Sequence, residues 1–211
     1  MATYETEEEQ LEALKKWWKE NGRSIMLGLL LGVLIIAGWR GWQAYQTNRA
    51  ESASTLYEQM ESDARAGNKQ GVEAAATLLR NNYSNTPYAT IGTLYLAKQY
   101  VEAENYDGAV ESLQWVIDNS SQENTVLTAK IRMARVLAAQ NKLDDALKQL
   151  QSTVFPESYR HLVDEVSGDI YLQQGEVQKA REAYKRASLK NNSDVLQMKL
   201  DDLGTAKPEQ G

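Results

Sequence analysis

The sequence predicts an all-α protein in which a single apolar helix precedes a solenoid of antiparallel helix hairpins. Three observations lead to this prediction. The 211 residues include only three prolines and one phenylalanine and are rich in Ala, Leu, Gln and Glu, which favours helix over strand. Residues 24–39 form an uncharged stretch near the start of the chain. Beyond it, similar short sequences that end in alanine recur at intervals of 34 to 37 residues.

Residues 1–23 carry six acidic and four basic side chains. Leu11, Leu14, Trp17 and Trp18 fall at positions i, i+3, i+6 and i+7, which places them along one helical face. We therefore expect a short amphipathic helix whose tryptophan pair approaches a membrane. A frayed, charged tail is the alternative interpretation.

Residues 24–45 are predicted to form a transmembrane helix. Twenty-two helical residues extend about 33 Å, which is enough to cross the hydrocarbon core of a bilayer. Trp39, Trp42 and Tyr45 at the far end, with the tryptophan pair before the span, resemble interfacial aromatic belts. No small-residue cleavage site follows the apolar run, so we expect an uncleaved anchor rather than a signal peptide.

The positive charges that flank the span predict its orientation. Four precede it and two follow it, namely Lys15, Lys16, Lys19 and Arg23 before, and Arg40 and Arg49 after. This bias predicts a cytoplasmic N-terminus and an external C-terminal domain. Within the span, Gly28 and Gly32 form a G-x-x-x-G motif, a spacing that lets another helix approach closely.

The recurring alanines indicate an internal repeat in residues 46–203. They are separated by 34, 37 and 34 residues and are Ala75, Ala109, Ala146 and Ala180. A large residue follows each alanine by four positions, and a small residue precedes each of the last three by twelve, namely Ala97, Ala134 and Gly168. Small residues on a first helix allow the large side chain of a second helix to pack closely, so the spacing predicts stacked helix pairs.

This register resembles the tetratricopeptide repeat, in which two antiparallel helices form each unit. Glu104, Asn141 and Gly175 are the expected turn residues between paired helices. The first unit fits less well, because its loop at residues 66–71 looks longer and no small residue stands twelve before Ala75. We expect a first helix over about residues 48–65 that continues from the span, a capping helix over 194–203, and a disordered tail at 204–211.

Composition and motifs argue against several functions. The formal net charge of −6 disfavours binding to nucleic acid, and the absence of cysteine excludes thiol chemistry. The only histidine, His161, is expected on a helix surface. We find no phosphate-binding glycine loop, nucleophile motif or metal-ligand pair, so we expect no enzyme, no cofactor and no metal.

The expected functional surface is a protein-binding groove lined by the first helix of each hairpin. We expect it to be apolar in places, basic in the middle units and acidic in the last. Packing of the apolar members against the neighbouring hairpin is the alternative for each. The expected groove residues are Ile91, Leu94, Lys98, Val101, Thr128, Ile131, Arg135, Leu162, Glu165, Asp169 and Leu172.

Three segments together resemble the YfgM family of ancillary SecYEG translocon subunits. They are Y-E-T-E-E-E-Q-L-E-A-L-K-K-W-W-K-E-N-G at residues 4–22, G-L-L-L-G-V at 28–33 and G-W-R-G-W at 38–42. The resemblance implies a bacterial inner-membrane protein with a cytoplasmic N-terminus and a periplasmic domain. It implies association with SecYEG and the PpiD chaperone, and a role in linking emerging secretory proteins to periplasmic chaperones. A membrane-anchored scaffold of a division or outer-membrane assembly machine is the alternative.

Overall fold

A computed structural model of the chain describes residues 7–191 and 193–205. Within these residues it contains nine α-helices, a short 3₁₀ helix at Glu157–Tyr159 and no strand, so the predicted all-α class is confirmed. The α-helices are α1 (Glu7–Arg65), α2 (Lys69–Tyr83), α3 (Pro87–Glu102), α4 (Tyr106–Asn119), α5 (Glu123–Ala139), α6 (Leu143–Gln151), α7 (Arg160–Gln173), α8 (Val177–Ser188) and α9 (Asp194–Thr205).

The chain divides into two compact units between Glu51 and Ser52. The described part of the first unit is the beginning of α1, whose large apolar side chains are exposed. The second unit contains the end of α1, helices α2 to α9 and the buried hydrophobic clusters. The predicted tail at 204–211 lies mostly outside the described residues, and its first two residues complete α9.

Four helix hairpins, α1–α2, α3–α4, α5–α6 and α7–α8, share one type of turn. Three residues connect each pair, and one of them has a positive φ: Gly67 (72°), Glu104 (56°), Asn141 (60°) and Gly175 (78°). The next backbone N–H donates to the carbonyl five residues earlier, as in a Schellman helix ending. The three turn residues expected from the sequence are therefore confirmed.

The first hairpin is more regular than the sequence predicted. Its connection comprises residues 66–68 and is no longer than the others, so the expected longer loop is wrong. Asn68 accepts a hydrogen bond from the Gly71 backbone N–H at 3.1 Å, as Asn105 does from Gly108 at 3.1 Å. These matching N-caps align Val72, rather than Ala75, with Ala109 of the second hairpin.

The corrected register shows that side-chain sizes are exchanged in the first hairpin. The second, third and fourth hairpins place a small residue on the first helix and a large one on the second, in the buried pairs Ala97/Leu113, Ala134/Leu150 and Gly168/Tyr184. At the same positions the first hairpin has Met60 on α1 and Ala76 on α2, and both are buried in one cluster. In the first hairpin the large side chain thus comes from the first helix instead of the second. The pair still consists of one large and one small residue.

Successive hairpins are joined by repeated side-chain hydrogen bonds. The Gln140 amide donates to Asp107 at 2.7 Å, and the Gln174 amide donates to Asp144 at 3.0 Å. Each glutamine lies in a hairpin turn, and each aspartate lies in the first turn of the preceding hairpin's second helix. The bonds therefore help to fix the stacking of one hairpin on the next.

The C-terminal helix α9 packs on α8. Leu196 and Leu203 are buried against the last hairpin together with Tyr184. The Arg181 guanidinium donates to the Leu203 carbonyl at 2.6 Å, which satisfies one of the carbonyls left free at the end of α9. The helix thus covers the apolar face of the last hairpin, as expected of a cap, and ends two residues later than predicted.

Candidate functional site

An open groove lies between α3 and α5 in the second unit, and we call it the α3–α5 groove. Its volume is about 510 Å³. Apolar and aromatic side chains form most of its surface, and three side chains are cationic. The lining residues are Tyr57, Ile91, Leu94, Tyr95, Ala97, Lys98, Val101, Leu113, Arg132, Arg135 and Val136.

Helix α3 contributes one continuous face to the groove. Ile91, Leu94, Lys98 and Val101 are three, four and three residues apart, so they lie on the same side of the helix. Ile91 and Val101 remain 46% and 39% exposed. All four groove residues predicted on this helix line the groove. The opposite side of α3 is buried, which fixes its rotation and leaves this face free.

Helix α5 contributes differently from the prediction. Arg135 lines the groove as predicted, and Arg132, one turn earlier, also lines it. Ile131 is only 4% exposed and lies in the core between the third and fourth hairpins, as in the alternative in which it packs against the neighbouring hairpin. Thr128 is half-buried and donates its hydroxyl hydrogen to the Asn124 carbonyl at 2.8 Å. The spacing of Arg132 from Arg135 could have indicated a shared face.

Helix α7 lies outside the groove lining. Leu162 packs against the core, and Leu172 is 41% exposed. Glu165 and Asp169 accept hydrogen bonds from the Lys199 ammonium at 2.9 and 2.7 Å. The acidic part of the predicted groove is therefore occupied by a cation from α9, a contact that sequence spacing did not indicate.

Lys199, Glu165, Asp169 and Tyr184 form a compact polar cluster. The Tyr184 hydroxyl donates to Asp169 at 2.7 Å. Burial lowers the pKa of Lys199, but hydrogen bonds to Asp169 and Glu165 outweigh this effect, and the net pKa is raised. Burial, with the hydrogen bond to Asp169, also raises the pKa of Tyr184. Lys199 therefore stays charged and Tyr184 stays neutral near neutral pH, and the Lys199 ammonium of α9 can keep its hydrogen bonds to the two carboxylates of α7.

Two of the three cations of the α3–α5 groove have no partner of their own. Lys98 forms a 3.5 Å ion pair with Glu102 on the next turn of α3. Arg132 and Arg135 are exposed, and within the described residues neither has an ion pair or a side-chain hydrogen bond. Tyr57, at the α1 side of the groove, has a raised pKa because of its burial and the nearby Glu61 carboxylate. The groove thus presents an apolar surface with available positive charge.

A smaller recess adjoins the groove. Its volume is about 310 Å³, and it lies between the α2–α3 and α4–α5 connections. Ile91 and Leu94 line both spaces, and the recess adds polar groups such as Asn85 and Gln122. The apolar surface of α3 therefore continues into a polar end.

The predicted transmembrane segment lies within α1. The helix contains an apolar window with a mean hydropathy of 1.8, of which 6% is buried. Its length and composition are sufficient to cross a membrane, and Trp39 is 69% exposed. Cβ atoms placed on Gly28 and Gly32 would have no heavy atom within 4 Å, so both predicted contact positions are open.

The described residues contain no cluster of three metal-binding side chains. His161 is half-buried in the first turn of α7.

The fold and groove define a helical repeat protein of the tetratricopeptide type, with one helix that is long and apolar enough to span a membrane. The tetratricopeptide repeat-like domain family matches residues 15–205. The chain belongs to this family and, within it, to the ancillary SecYEG translocon subunits, which confirms the resemblance to the YfgM family. The family and the exposed apolar helix together indicate a membrane-anchored protein.

Relatives with the name "Ancillary SecYEG translocon subunit" match almost the whole chain. The Escherichia coli K12 protein is 33% identical over 208 residues, which cover 96% of this chain and 99% of the relative. The Neisseria gonorrhoeae protein is 31% identical over 212 residues, with 96% and 100% coverage. The Haemophilus influenzae protein is 29% identical over 200 residues, with 93% and 97% coverage. Their name describes a translocon subunit rather than a class of enzyme.

Solved structures support the fold alone. The MamA fragment from Desulfovibrio magneticus RS-1 has a TM-score of 0.57 and 15% identity, and the match covers 72% of this chain and 83% of the MamA chain. A kinesin light chain-like repeat protein from Podospora anserina has a TM-score of 0.53 and 17% identity, with 73% and 86% coverage.

Proposed function

We propose that this chain is an ancillary subunit of the SecYEG translocon that links emerging secretory proteins to periplasmic chaperones. Its partners in this proposal are SecYEG, the membrane-anchored chaperone PpiD, and secretory polypeptides or periplasmic chaperones. It acts as an adaptor and carries out no catalysis. The relatives' name supports the translocon association.

The proposed topology places residues 1–23 in the cytoplasm, 24–45 in the inner membrane and 46–203 in the periplasm. The four basic residues before the span, against two after it, support this orientation. Gly28 and Gly32 provide an open contact face for a neighbouring transmembrane helix. The anchor keeps the repeat domain at the membrane and so raises its effective concentration near emerging chains.

The observation that carries the proposal is the accessible α3–α5 groove on the first helices of a tetratricopeptide-type stack. Its apolar surface is suited to weak, reversible contact with segments of other proteins. The same groove contains five of the residues expected from the sequence, namely Ile91, Leu94, Lys98, Val101 and Arg135.

Site-specific photo-crosslinking in the native membrane tests the partners. A crosslinker at Gly28 is expected to capture channel subunits, and one at Ile91 is expected to capture chaperones or secretory chains. Leu78 is the matched control, because it is 46% exposed like Ile91 but lies outside the groove on α2. Equal products from Ile91 and Leu78 would contradict the groove's role, and capture of division or assembly proteins would favour the scaffold alternative.

The absence of cysteine makes the topology easy to test by single-cysteine labelling. Gln10→Cys and Glu182→Cys introduce thiols at two exposed positions, one on each side of the span. In spheroplasts, a membrane-impermeant maleimide is expected to label only Glu182→Cys, and lysis should be required for Gln10→Cys. The opposite labelling pattern would reverse the proposed orientation.

A further inference from the structure

We propose that the α3–α5 groove selects a short, acidic, amphipathic helix of a partner protein. This inference deepens the proposed function and rests on it in one respect, namely that the groove is a partner-binding surface. What it adds is the chemistry of the bound segment: apolar side chains that face α3, and carboxylates that face Arg132 and Arg135 on α5.

The pairing of arginines within the second unit supports the acidic character. This unit contains seven arginines, and five of them have a partner in the structure. Arg65, Arg80, Arg160 and Arg186 pair with carboxylates, and Arg181 donates to a backbone carbonyl. Arg132 and Arg135, which have no partner among the described residues, both line the groove. A carboxylate is the group that a guanidinium binds with the best geometry.

The acidic residues of α7 do not offset these charges. Glu165 and Asp169 already share the Lys199 ammonium. The positive charge available in the groove therefore contrasts with the whole chain's formal charge of −6. The net charge of the chain repels an acidic segment, and the groove arginines attract it locally, which favours a specific binding position.

The groove walls favour a helix over an extended strand. The walls are helices whose backbone groups are paired internally, so an extended segment would place unpaired backbone N–H and C=O groups against an apolar surface. A helix satisfies these groups within itself. Ile91 and Val101 are ten residues apart, or about 15 Å along α3, which matches about three turns of a bound helix.

Binding of synthetic peptides to the full-length protein in phosphatidylcholine nanodiscs tests this inference. The probe is a fluorescent, helix-forming peptide of about four turns with leucines along one face and two glutamates one turn apart beside it. Its glutamine analogue is the control peptide. We expect the glutamate peptide to bind about three- to tenfold more tightly at low salt, and high salt to reduce the difference.

Variants locate the binding. Arg132→Gln with Arg135→Gln should abolish the preference for glutamate while leaving the helical content unchanged, because both side chains are exposed. Arg160→Gln, which changes an exposed arginine outside the groove, should preserve the preference. Ile91→Ser should weaken both peptides.

Three results would overturn the inference: equal binding of both peptides, an unchanged preference in the double arginine variant, or binding of dodecanoate to the groove with no binding of the glutamate peptide. The last result would assign the groove to an anionic lipid. Crosslinking from Ile91 to partners, combined with equal peptide binding, would refute the acidic preference and leave the proposed function standing. Absence of crosslinks from Ile91 would refute the groove's role in the proposed function itself.

Discussion

Replacing Gly168 by alanine tests the close packing of α7 against α8. A Cβ atom at residue 168 would lie 2.5 Å from both Cδ1 and Cε1 of the Tyr184 ring. That distance is well inside van der Waals contact, so the ring or the helix has to move. Tyr184 is 1% exposed, and its hydroxyl is bonded to Asp169, so the ring has little freedom to move.

Two opposing effects determine the size of the change. Alanine in place of glycine within a helix normally stabilises by about 1 kcal/mol. Overpacking of a buried site costs about 1–3 kcal/mol, and the tyrosine hydrogen bond contributes about 1 kcal/mol if it is lost. We therefore expect Gly168→Ala to lower the free energy of unfolding by about 1–2 kcal/mol.

The other hairpins suggest how the packing can be restored. Ala97/Leu113 and Ala134/Leu150 occupy the position of Gly168/Tyr184. The double variant Gly168→Ala with Tyr184→Leu recreates that combination. Its decrease in free energy of unfolding should therefore be smaller than the sum of the decreases in the two single variants, by about 1 kcal/mol or more.

Urea unfolding of the full-length protein in mild detergent, followed by helical circular dichroism, measures these changes. Gly204→Ala is the control, because a Cβ atom there would have no neighbour within 4 Å among the described residues, and it should be neutral or slightly stabilising. Additive losses in the double variant, or an unchanged stability of Gly168→Ala, would refute the packing argument.

Three further predictions concern other parts of the second unit. Met60→Ala should lower the free energy of unfolding by about 2–5 kcal/mol. Adding Ala76→Leu should recover part of that stability, because the first hairpin then has a small residue on its first helix and a large one on its second, like the others. No recovery in urea unfolding would contradict the exchanged packing. Lys199→Met should cost about 1–3 kcal/mol because it removes the cation shared by two partly buried carboxylates. The pKa of Lys199 is raised above its usual 10.5, so wild type should exceed this variant in free energy of unfolding by the full amount below about pH 10.5. This stability difference should decline as the pH rises through the folded-state pKa. A stability difference that grows at alkaline pH would be evidence against the cluster. Tyr100→Phe should remove the 2.6 Å hydrogen bond to Glu73 and lower the free energy of unfolding by about 1 kcal/mol. It should also remove from the ultraviolet titration a tyrosine whose pKa is raised to about 12 by burial and by that hydrogen bond. An unchanged ultraviolet titration would disprove the assignment of this pKa to Tyr100.

The helical class and the turn residues of the last three hairpins were predictable because they depend on local sequence. Glu104 and Asn141 adopt positive φ values although neither is glycine, and the spacing of the repeats located both. The first hairpin was misaligned because Ala75 looked like the repeat alanine. The equivalent residue is Val72, and the exchange of size between Met60 and Ala76 removed the small residue on which the register depended.

The candidate groove was only partly predictable, because helix rotation and long-range pairing depend on tertiary contacts. The groove face of α3 follows from the apolar spacing along a single helix. On α5, the same spacing selected Ile131, but packing against the fourth hairpin buries it and leaves Arg132 beside Arg135. The capture of Glu165 by Lys199 joins residues 34 apart, and no local pattern encodes it.

In the first hairpin the large residue lies on the first helix and the small residue on the second, the reverse of the later hairpins. The first hairpin therefore cannot be exchanged with the hairpins that follow it. Copying it to a later place in the array, or replacing it with a duplicate of a later hairpin, would set differently shaped faces against neighbours matched to the original order. Unlike a consensus array, which can be lengthened at will, this array has a fixed beginning, and its number of units is correspondingly hard to change by simple duplication.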